Sequence, residues 1–346
     1  MQKKIKLPMH RLIAPVIGTL ACILVICIFG NDAGQSLSLL FTGTFTSPYY
    51  FGSMLNSASL LMTAGLGASV AIKSGNMNLG GEGQVYLGGF LAGLILSQDM
   101  KIPAPIQFML ALFAVTLSGA LMASISAFLK EFRGAEVLLT TFLVSSASLP
   151  LIDAAITGLK GSGSQNLLAL PYIKDCFKFH QMLPPSPLNG GFIAAIAFCI
   201  AAGFIFSRTS AGRKMTVWGK APLFATYSGL SSKAASYMSL CTSGALHSLT
   251  GMLAVCGTYF TCHNGFYSGV GWNALNVALM ASSNPFALIP SSLFLSWLYT
   301  SAKRVSLTQG FGFDISGIIQ GCILFSVAIN FAAGKIRNAK SSGRKS

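Results

Sequence analysis

Gly75-Asn76-Met77-Asn78-Leu79-Gly80-Gly81-Glu82-Gly83-Gln84 places a glycine-rich, amide-rich turn and one carboxylate between two long apolar runs. Upstream, no Asp, Glu, Lys or Arg occurs from Ala33 to Ile72. Downstream, Glu82 is the only charge between Lys73 and Asp99. Lipid cannot satisfy backbone N–H and C=O groups, so irregular backbone at membrane depth is tolerated only where it is buried in protein or lines a wet cavity. The stretch therefore reads as a hinge or lining of a translocation pathway, with Glu82 close to hydrocarbon. On the residues alone a second reading stays open, in which the glycines permit close helix packing and Glu82 caps a helix.

The flanking sequence has the same character. Of 346 residues, 53% are hydrophobic and 9% charged, and the mean hydropathy is +0.65. That is about a third of the charge of an ordinary soluble domain. Several apolar runs exceed the roughly 20 residues that cross a bilayer. The composition implies an all-α polytopic membrane protein and excludes soluble globular folds. The net charge of +15 does not point to nucleic acid, because the bases gather in tails and loops. Four precede residue 12, five lie from Arg208 to Lys233 with no acid among them, and five follow Gly334. By the positive-inside rule all three regions are expected to be cytoplasmic. Leu12 to Phe29, behind Lys3, Lys4, Lys6 and Arg11, looks like the front of a signal peptide, but no small-x-small site follows and it is expected to stay as a span. The eight cysteines form no CxxC pair and read as small buried apolar residues. A bond between Cys176 and Cys262, in or near expected external loops, is left open.

Charge-free runs and turn residues predict spans near 12–30, 54–72, 84–97, 105–129, 137–157, 189–206, 234–258, 286–302 and 313–334. Nine spans would put the two basic termini on opposite sides of the membrane, so a tenth crossing is required. The candidate is 271–283, a short or half-length segment inside the 69 residues from Ala234 to Ala302 that carry no Asp, Glu, Lys or Arg, and it ends at the turn Asn284-Pro285. The whole of 1–346 then forms one membrane domain. It comprises a basic cytoplasmic tail at 1–11, an external loop at 159–188, a cytoplasmic loop at 207–233 and a basic tail at 335–346, expected to be disordered against an anionic leaflet. Gly161-Ser162-Gly163-Ser164-Gln165-Asn166 and Pro184-Pro185-Ser186-Pro187 in the external segment are loop chemistry.

Nothing in the chain suggests catalysis. A phosphate-cradling GxxxxGK[ST] turn is absent, since Gly219-Lys220 is followed by Ala221. No HExxH occurs, His247 and His263 stand sixteen residues apart, and Asp153 and Asp314 stand alone near predicted span ends. No catalytic residue, metal ligand or cofactor of its own is expected, and His247 reads as packed beside Ser248 and Thr250. The second distinctive region is Phe206 to Leu230, in which basic and small residues mix. Here Ala221 to Tyr227 is predicted as a short helix started by Pro222 and stopped by Gly229. Lying along the membrane, it would present a docking surface for a soluble partner. The alternative is a loop held on anionic lipid by its five bases.

At these residues the chain resembles the permease subunits of ATP-binding-cassette importers, in the branch with branched-chain amino acid and ribose permeases, and most closely the nucleoside and riboflavin type. The likeness runs from about Phe41 to Ala333. It rests on Asn78-Leu79-Gly80-Gly81-Glu82-Gly83-Gln84, on Arg208-Thr209-Ser210-Ala211-Gly212-Arg213-Lys214 with Gly219-Lys220-Ala221-Pro222 and Tyr227-Ser228-Gly229-Leu230, and on the order of Ser243-Gly244-Ala245-Leu246, Gly269 to Met280 and Asn284-Pro285. Met77 stands where the family usually has phenylalanine, and Ala135-Glu136-Val137 lacks the family's asparagine.

The resemblance implies a multi-pass subunit of the bacterial cytoplasmic (inner) membrane, which pairs with a second permease, identical or paralogous. A soluble ATPase dimer, the user of ATP, would dock on the cytoplasmic segment, and an extracytoplasmic binding protein or lipoprotein would deliver the solute. It assigns ATPase contact to Gly212, Lys214, Ala221, Pro222, Tyr227 and Gly229. It assigns pathway shaping to Gly80, Gly81, Gly83 and Gln84, with Asn76, Asn78 and Glu82 fixing the turn. The sparse charge of the spans suits a neutral, ring-containing small molecule, for which Asn56, Thr140, Thr141, Asn276 and Gln320 are candidate hydrogen-bonding groups, although interhelical bonding is the simpler role for each. An ATP-independent secondary transporter or channel is the main alternative and would need an intramembrane relay, for which Glu82 is the available acid. A purely structural membrane subunit is a third reading.

Overall fold

The computed structural model describes residues 10–29, 32–159, 168–267, 269–310, 317–323 and 325. The chain runs through α1 (His10–Phe29), α2 (Ala33–Thr42), α3 (Pro48–Lys73), α4 (Gly81–Ser97), α5 (Ala104–Arg133), α6 (Val137–Leu159), α7 (Gly191–Arg208), α8 (Ser210–Lys220), α9 (Pro222–Tyr227), α10 (Ser232–Ala254), α11 (Val270–Met280) and α12 (Pro285–Gln309), and 317–323 is helical as well. The described chain is 80% helical. Boundaries follow local chemistry. Pro48, Pro222 and Pro285 sit in the first turns of their helices, where the missing N–H is not needed. Asn284 caps α12 by accepting from the Phe286 N–H, so Asn284-Pro285 is the expected turn. Gly134 ends α5 in the left-handed region at φ 67°, a conformation other residues adopt only with strain.

Among the described residues five helices are long and apolar enough to cross a membrane: α3, α5, α6, α7 and α10 with its continuation to Tyr259. Burial separates them into two layers. Within their apolar windows, α3 is 78% and α10 67% buried, whereas α5, α6 and α7 are 22–28% buried. The first two form the interior and the other three the outer face. On α5 the exposed side chains Ile106, Leu110, Phe113, Leu117, Leu121, Ile125, Phe128 and Phe132 recur every three or four residues, a stripe suited to lipid. In the centre α10 packs against α3, α4 and α5, with Gly244 of α10 and Gly119 of α5 in backbone contact. With no hydrophobic drive between helices in lipid, such small-residue crossings let dispersion and hydrogen bonds hold the bundle.

Some expectations are corrected, while the short segment expected at 271–283 is found as expected. The predicted span 54–72 begins at Pro48, and the helices α2 and α8 were not anticipated. The segment expected at 271–283 is α11, whose 11 residues rise about 16 Å. That is half of the roughly 30 Å of hydrocarbon, so α11 is a half-length element. The external segment is no free loop beyond residue 168. Leu170 and Ile173 donate to the carbonyls of Cys262 and Phe260 at 2.9 Å each, and Leu170, Ile173 and Phe177 are buried in the core. Cys176 is exposed and Cys262 buried, both as free thiols. Most of the predicted span 313–334, the 335–346 tail, nearly all of the 1–11 tail and Gly161 to Asn166 lie outside the described residues.

Candidate functional site

The turn between α3 and α4 buries its amides and glycines after Gly75, while Met77 and Leu79 are half-buried. Asn76 and Asn78 are 2% and 3% exposed, Gly80, Gly81 and Gly83 are buried, and Gln84 is 1% exposed. Each buried amide is tied to a neighbouring helix. Asn78 Oδ1 accepts from the Gly80 N–H at 2.8 Å, while its Nδ2 donates to Gln84 Oε1 at 3.0 Å and to Ser243 Oγ at 2.9 Å. The Leu79 and Gly83 N–H groups donate to Thr141 Oγ1 at 3.0 Å and Ser145 Oγ at 2.8 Å on α6. Asn76 Nδ2 donates to Ser239 Oγ at 2.8 Å, and its Oδ1 accepts from Lys130 Nζ at 2.7 Å. Lys130 also donates to Ser236 Oγ at 2.9 Å, and the Ser236 hydroxyl reaches Glu131 Oε1 at 2.5 Å. An irregular buried backbone needs partners for its polar groups, and α5, α6 and α10 supply them.

Ser232, Ser236 and Ser239, which the sequence reading did not single out, bond to Glu131, Lys130 and Asn76 around this turn. Ser232, Ser236, Ser239, Ser243 and His247 recur at spacings of 4, 3, 4 and 4 along α10, a stripe at helical period that was visible in the sequence. Lys130 sits at the end of an apolar run and gave no sign of its inward reach.

Glu82, 8% exposed, occupies the first turn of α4 and faces a second helix start. Its Oε1 accepts from the Trp272 N–H at 3.2 Å, and the N–H groups of Gly269 and Gly271 also lie within reach of the carboxyl group. The carboxylate thus caps α11, whose exposed N–H groups and dipole favour an anion. The approach requires glycine on both sides. A β-carbon on Gly271 would overlap the Glu82 amide, and one on Gly81 would lie 3.0 Å from Gly271 Cα and 3.2 Å from His247 Nε2. His247 is buried between α3 and α4, deeper than packing beside Ser248 and Thr250 implies. Asp153 does not stand alone: it accepts from the Tyr86 hydroxyl at 2.5 Å inside α6.

The other polar candidates divide. Asn56 donates to Thr258 Oγ1 at 2.9 Å and accepts from Asn189 Nδ2 at 3.0 Å, beside the π-helical turn Val255–Tyr259. Thr140 is bonded back to its own helix, and Thr141 holds Leu79. Gln320 lies near Gly269. Asn276 is fully buried on α11, and neither its Oδ1 nor its Nδ2 has a hydrogen-bond partner among the described residues.

The segment Phe206 to Leu230 folds as the end of α7 followed by α8 and α9. Gly212 is buried where α8 turns back on α7, at the Phe206 backbone. Lys214, Ala221, Pro222 and Gly229 are exposed, and Gly229 takes φ 72° as the predicted helix stop. Tyr227 is 90% exposed, and Leu223 and Phe224, not singled out in the sequence, are 76% and 63% exposed. Ala225 is buried, so α9 anchors one side and presents a three-residue apolar face on the other. Among the described residues no three His, Cys, Asp or Glu side chains gather as a metal site.

Residues 50–328 match the family described as branched-chain amino acid transport system / permease component. The probable riboflavin import permease protein RfuC of Treponema pallidum is 30% identical over 321 residues, covering 93% of this chain and 85% of the relative. The guanosine ABC transporter permease protein NupP of Bacillus subtilis is 24% identical over 94% of this chain and 95% of its own length. The nucleoside ABC transporter permease protein NupB of Lactococcus lactis is 25% identical, with coverages of 96% and 93%. No solved structure matches the chain. The family match spans most of the chain and includes the buried turn, α8 to α9 and α11, so this multi-pass membrane protein belongs to the permease components of the branched-chain amino acid transport family, as an ABC transporter permease.

Proposed function

We propose that this permease lines the import pathway for a small, neutral, ring-containing solute of the nucleoside or riboflavin type, driven by a separate ATPase dimer. The observation that carries the reading is the face of α9. Leu223, Phe224 and Tyr227 are exposed on a six-residue helix flanked by Lys214 and Lys220. Three large apolar side chains at one end of the chain's basic loop suit a protein partner, because a central apolar anchor with a polar rim is what a stable interface needs. In this reading Lys214, Ala221, Pro222, Tyr227 and Gly229 border the ATPase contact, and Gly212 sets the angle at which α8 leaves α7.

The pathway is formed where Asn76, Asn78, Gly80, Gly81, Glu82, Gly83 and Gln84 meet α6, α10 and α11, with Asn76, Asn78 and Glu82 fixing the turn and Asn276 free to bond solute. The relatives' names, riboflavin and guanosine among them, support the solute class. The whole of 1–346 acts as one domain with about ten membrane segments, cytoplasmic termini and placement in a bacterial inner membrane. It pairs with a second permease, identical or paralogous, and an extracytoplasmic binding protein or lipoprotein presents the solute. No cofactor is held by this chain, and ATP is consumed by the ATPase.

The test is purification of the crosslinked chain from its own membrane, with mass spectrometry of what comes with it, for the unaltered chain and for a Leu223→Asp, Phe224→Asp variant. The expected result is an ATPase recovered with the first and depleted at least tenfold with the second. Equal recovery from both would place the docking site elsewhere.

A further inference from the structure

We infer that Gly219 is the joint through which α8 moves the buried pathway turn, which makes it a positioning residue for coupling rather than a contact for the ATPase. The inference rests on the docking reading above and adds the route inward. A β-carbon on Gly219 would overlap the Lys73 carbonyl oxygen and lie 2.9 Å from the Gly75 nitrogen, and one on Gly75 would lie 3.3 Å from Gly219 Cα. The end of α8 therefore rests backbone to backbone on the last residue of α3 and the first residue of the turn. Gly75 holds φ 80°, which a side-chain-bearing residue adopts only with strain, so the turn requires glycine at this point.

Two further contacts make the joint stiff. Met215 of α8 is buried with Val70 and Phe206, and Lys73 Nζ lies 4.4 Å from the centre of the Phe206 ring. The first packs α8 against the end of α3 one helical turn before the glycine contact, and the second ties the same end of α3 to α7, from which α8 leaves. On the far side of the turn, Asn76 is held by Lys130 and Ser239, so the next residue after Gly75 is already inside the polar network. From there Asn78, Gly80 and Glu82 follow without an intervening flexible segment, and Glu82 holds the N-terminus of α11. Packed backbones transmit displacement because they are incompressible and have few alternative arrangements. A shift of α8 is thus delivered to the turn at Gly219 and carried on to α4 and α11. Every other residue in place of Gly219 would force α8 away from Lys73 and open this path.

The test uses the purified complex of full chain, its second permease and ATPase in proteoliposomes supplied with the extracytoplasmic binding protein, with radiolabelled guanosine and riboflavin as probes. Uptake and ATP hydrolysis are read together for the unaltered chain, Gly219→Ala and Met215→Ala. A residue that only supports the fold lowers both in proportion; loss of the joint lowers solute moved per ATP. For Gly219→Ala the ratio is expected to fall at least tenfold with the ATPase still bound, and for Met215→Ala about threefold. Met215→Ala serves alone if the Gly219 variant fails to assemble. An unchanged ratio in the variants that assemble overturns the joint and leaves the docking reading standing. If the unaltered chain brings no ATPase, the docking reading falls and the inference with it; if it moves neither probe, the solute class proposed above is wrong and the inference, which needs a working pathway, falls with that class.

Discussion

Asn276 shows how far single residues can be interpreted. A fully buried carboxamide without a partner is costly, about 1–3 kcal/mol in protein interiors, and replacing it by an apolar group of the same shape is close to neutral. If its capacity is kept for solute, Asn276→Leu should leave the melting temperature unchanged or slightly raised and cut uptake at least tenfold. Equal uptake would reduce Asn276 to packing. The reverse holds for Asn56, whose amide is engaged by Thr258 and Asn189. The sequence named both among the polar candidates and had no means of separating them, because hydrogen-bond satisfaction depends on partners up to 202 residues away. Through the resemblance it gave Asn76 and Asn78 the part of fixing the turn, and it left Lys130 and Ser232, Ser236 and Ser239 of α10 unnoticed. Lys130 looked like an ordinary cytoplasmic base until the fold turned its ammonium onto Asn76.

Among the elements, α4 and α11 start against each other. Their crossing depends on Gly81 and Gly271, and its electrostatics on Glu82. The two sequence readings of this stretch, pathway turn and tight packing with a cap, are therefore compatible, since the capped helix is α11 and not α4 itself. Because the Oε1 bond to Trp272 needs an acceptor and not a charge, Glu82→Gln should keep the complex assembled and uptake within about threefold. An N-cap-like loss in Glu82→Ala should lower stability by about 1 kcal/mol. Uptake abolished in Glu82→Gln, with assembly and melting intact, would show that the charge itself acts in transport. The sequence predicted α9 almost to the residue, because Pro222 and Gly229 punctuate it. It missed α8, because its glycines and bases look like loop chemistry, and α2, because ten apolar and polar residues without charge give no boundary. Helical period would have found the outward face of α9, since Leu223, Phe224 and Tyr227 stand at i, i+1 and i+4.

At the scale of the whole molecule, the layering of α3 and α10 inside α5, α6 and α7 explains why hydropathy alone was informative about class and less so about arrangement. The buried and the lipid-facing helices are both apolar, and only the distribution of small and polar residues along α10, against the bulky stripe on α5, tells them apart. Among the described residues the interior contains amides, hydroxyls and the capping carboxylate of Glu82, and two half-buried acids at its margin are engaged, Asp153 by Tyr86 and Glu131 by Ser236. Among the described residues these acids form no chain for ion coupling, and an external energy source acting through α8 and α9 fits that interior better. The decisive measurement is accumulation of radiolabelled guanosine and riboflavin by proteoliposomes holding the chain with its co-purified second permease, ATPase and extracytoplasmic binding protein, with ATP, with a non-hydrolysable analogue, and after collapse of all ion gradients. Accumulation of at least one solute that needs hydrolysable ATP and survives the collapse is the expected result; accumulation that follows an ion gradient and ignores ATP would contradict an ATPase-driven permease.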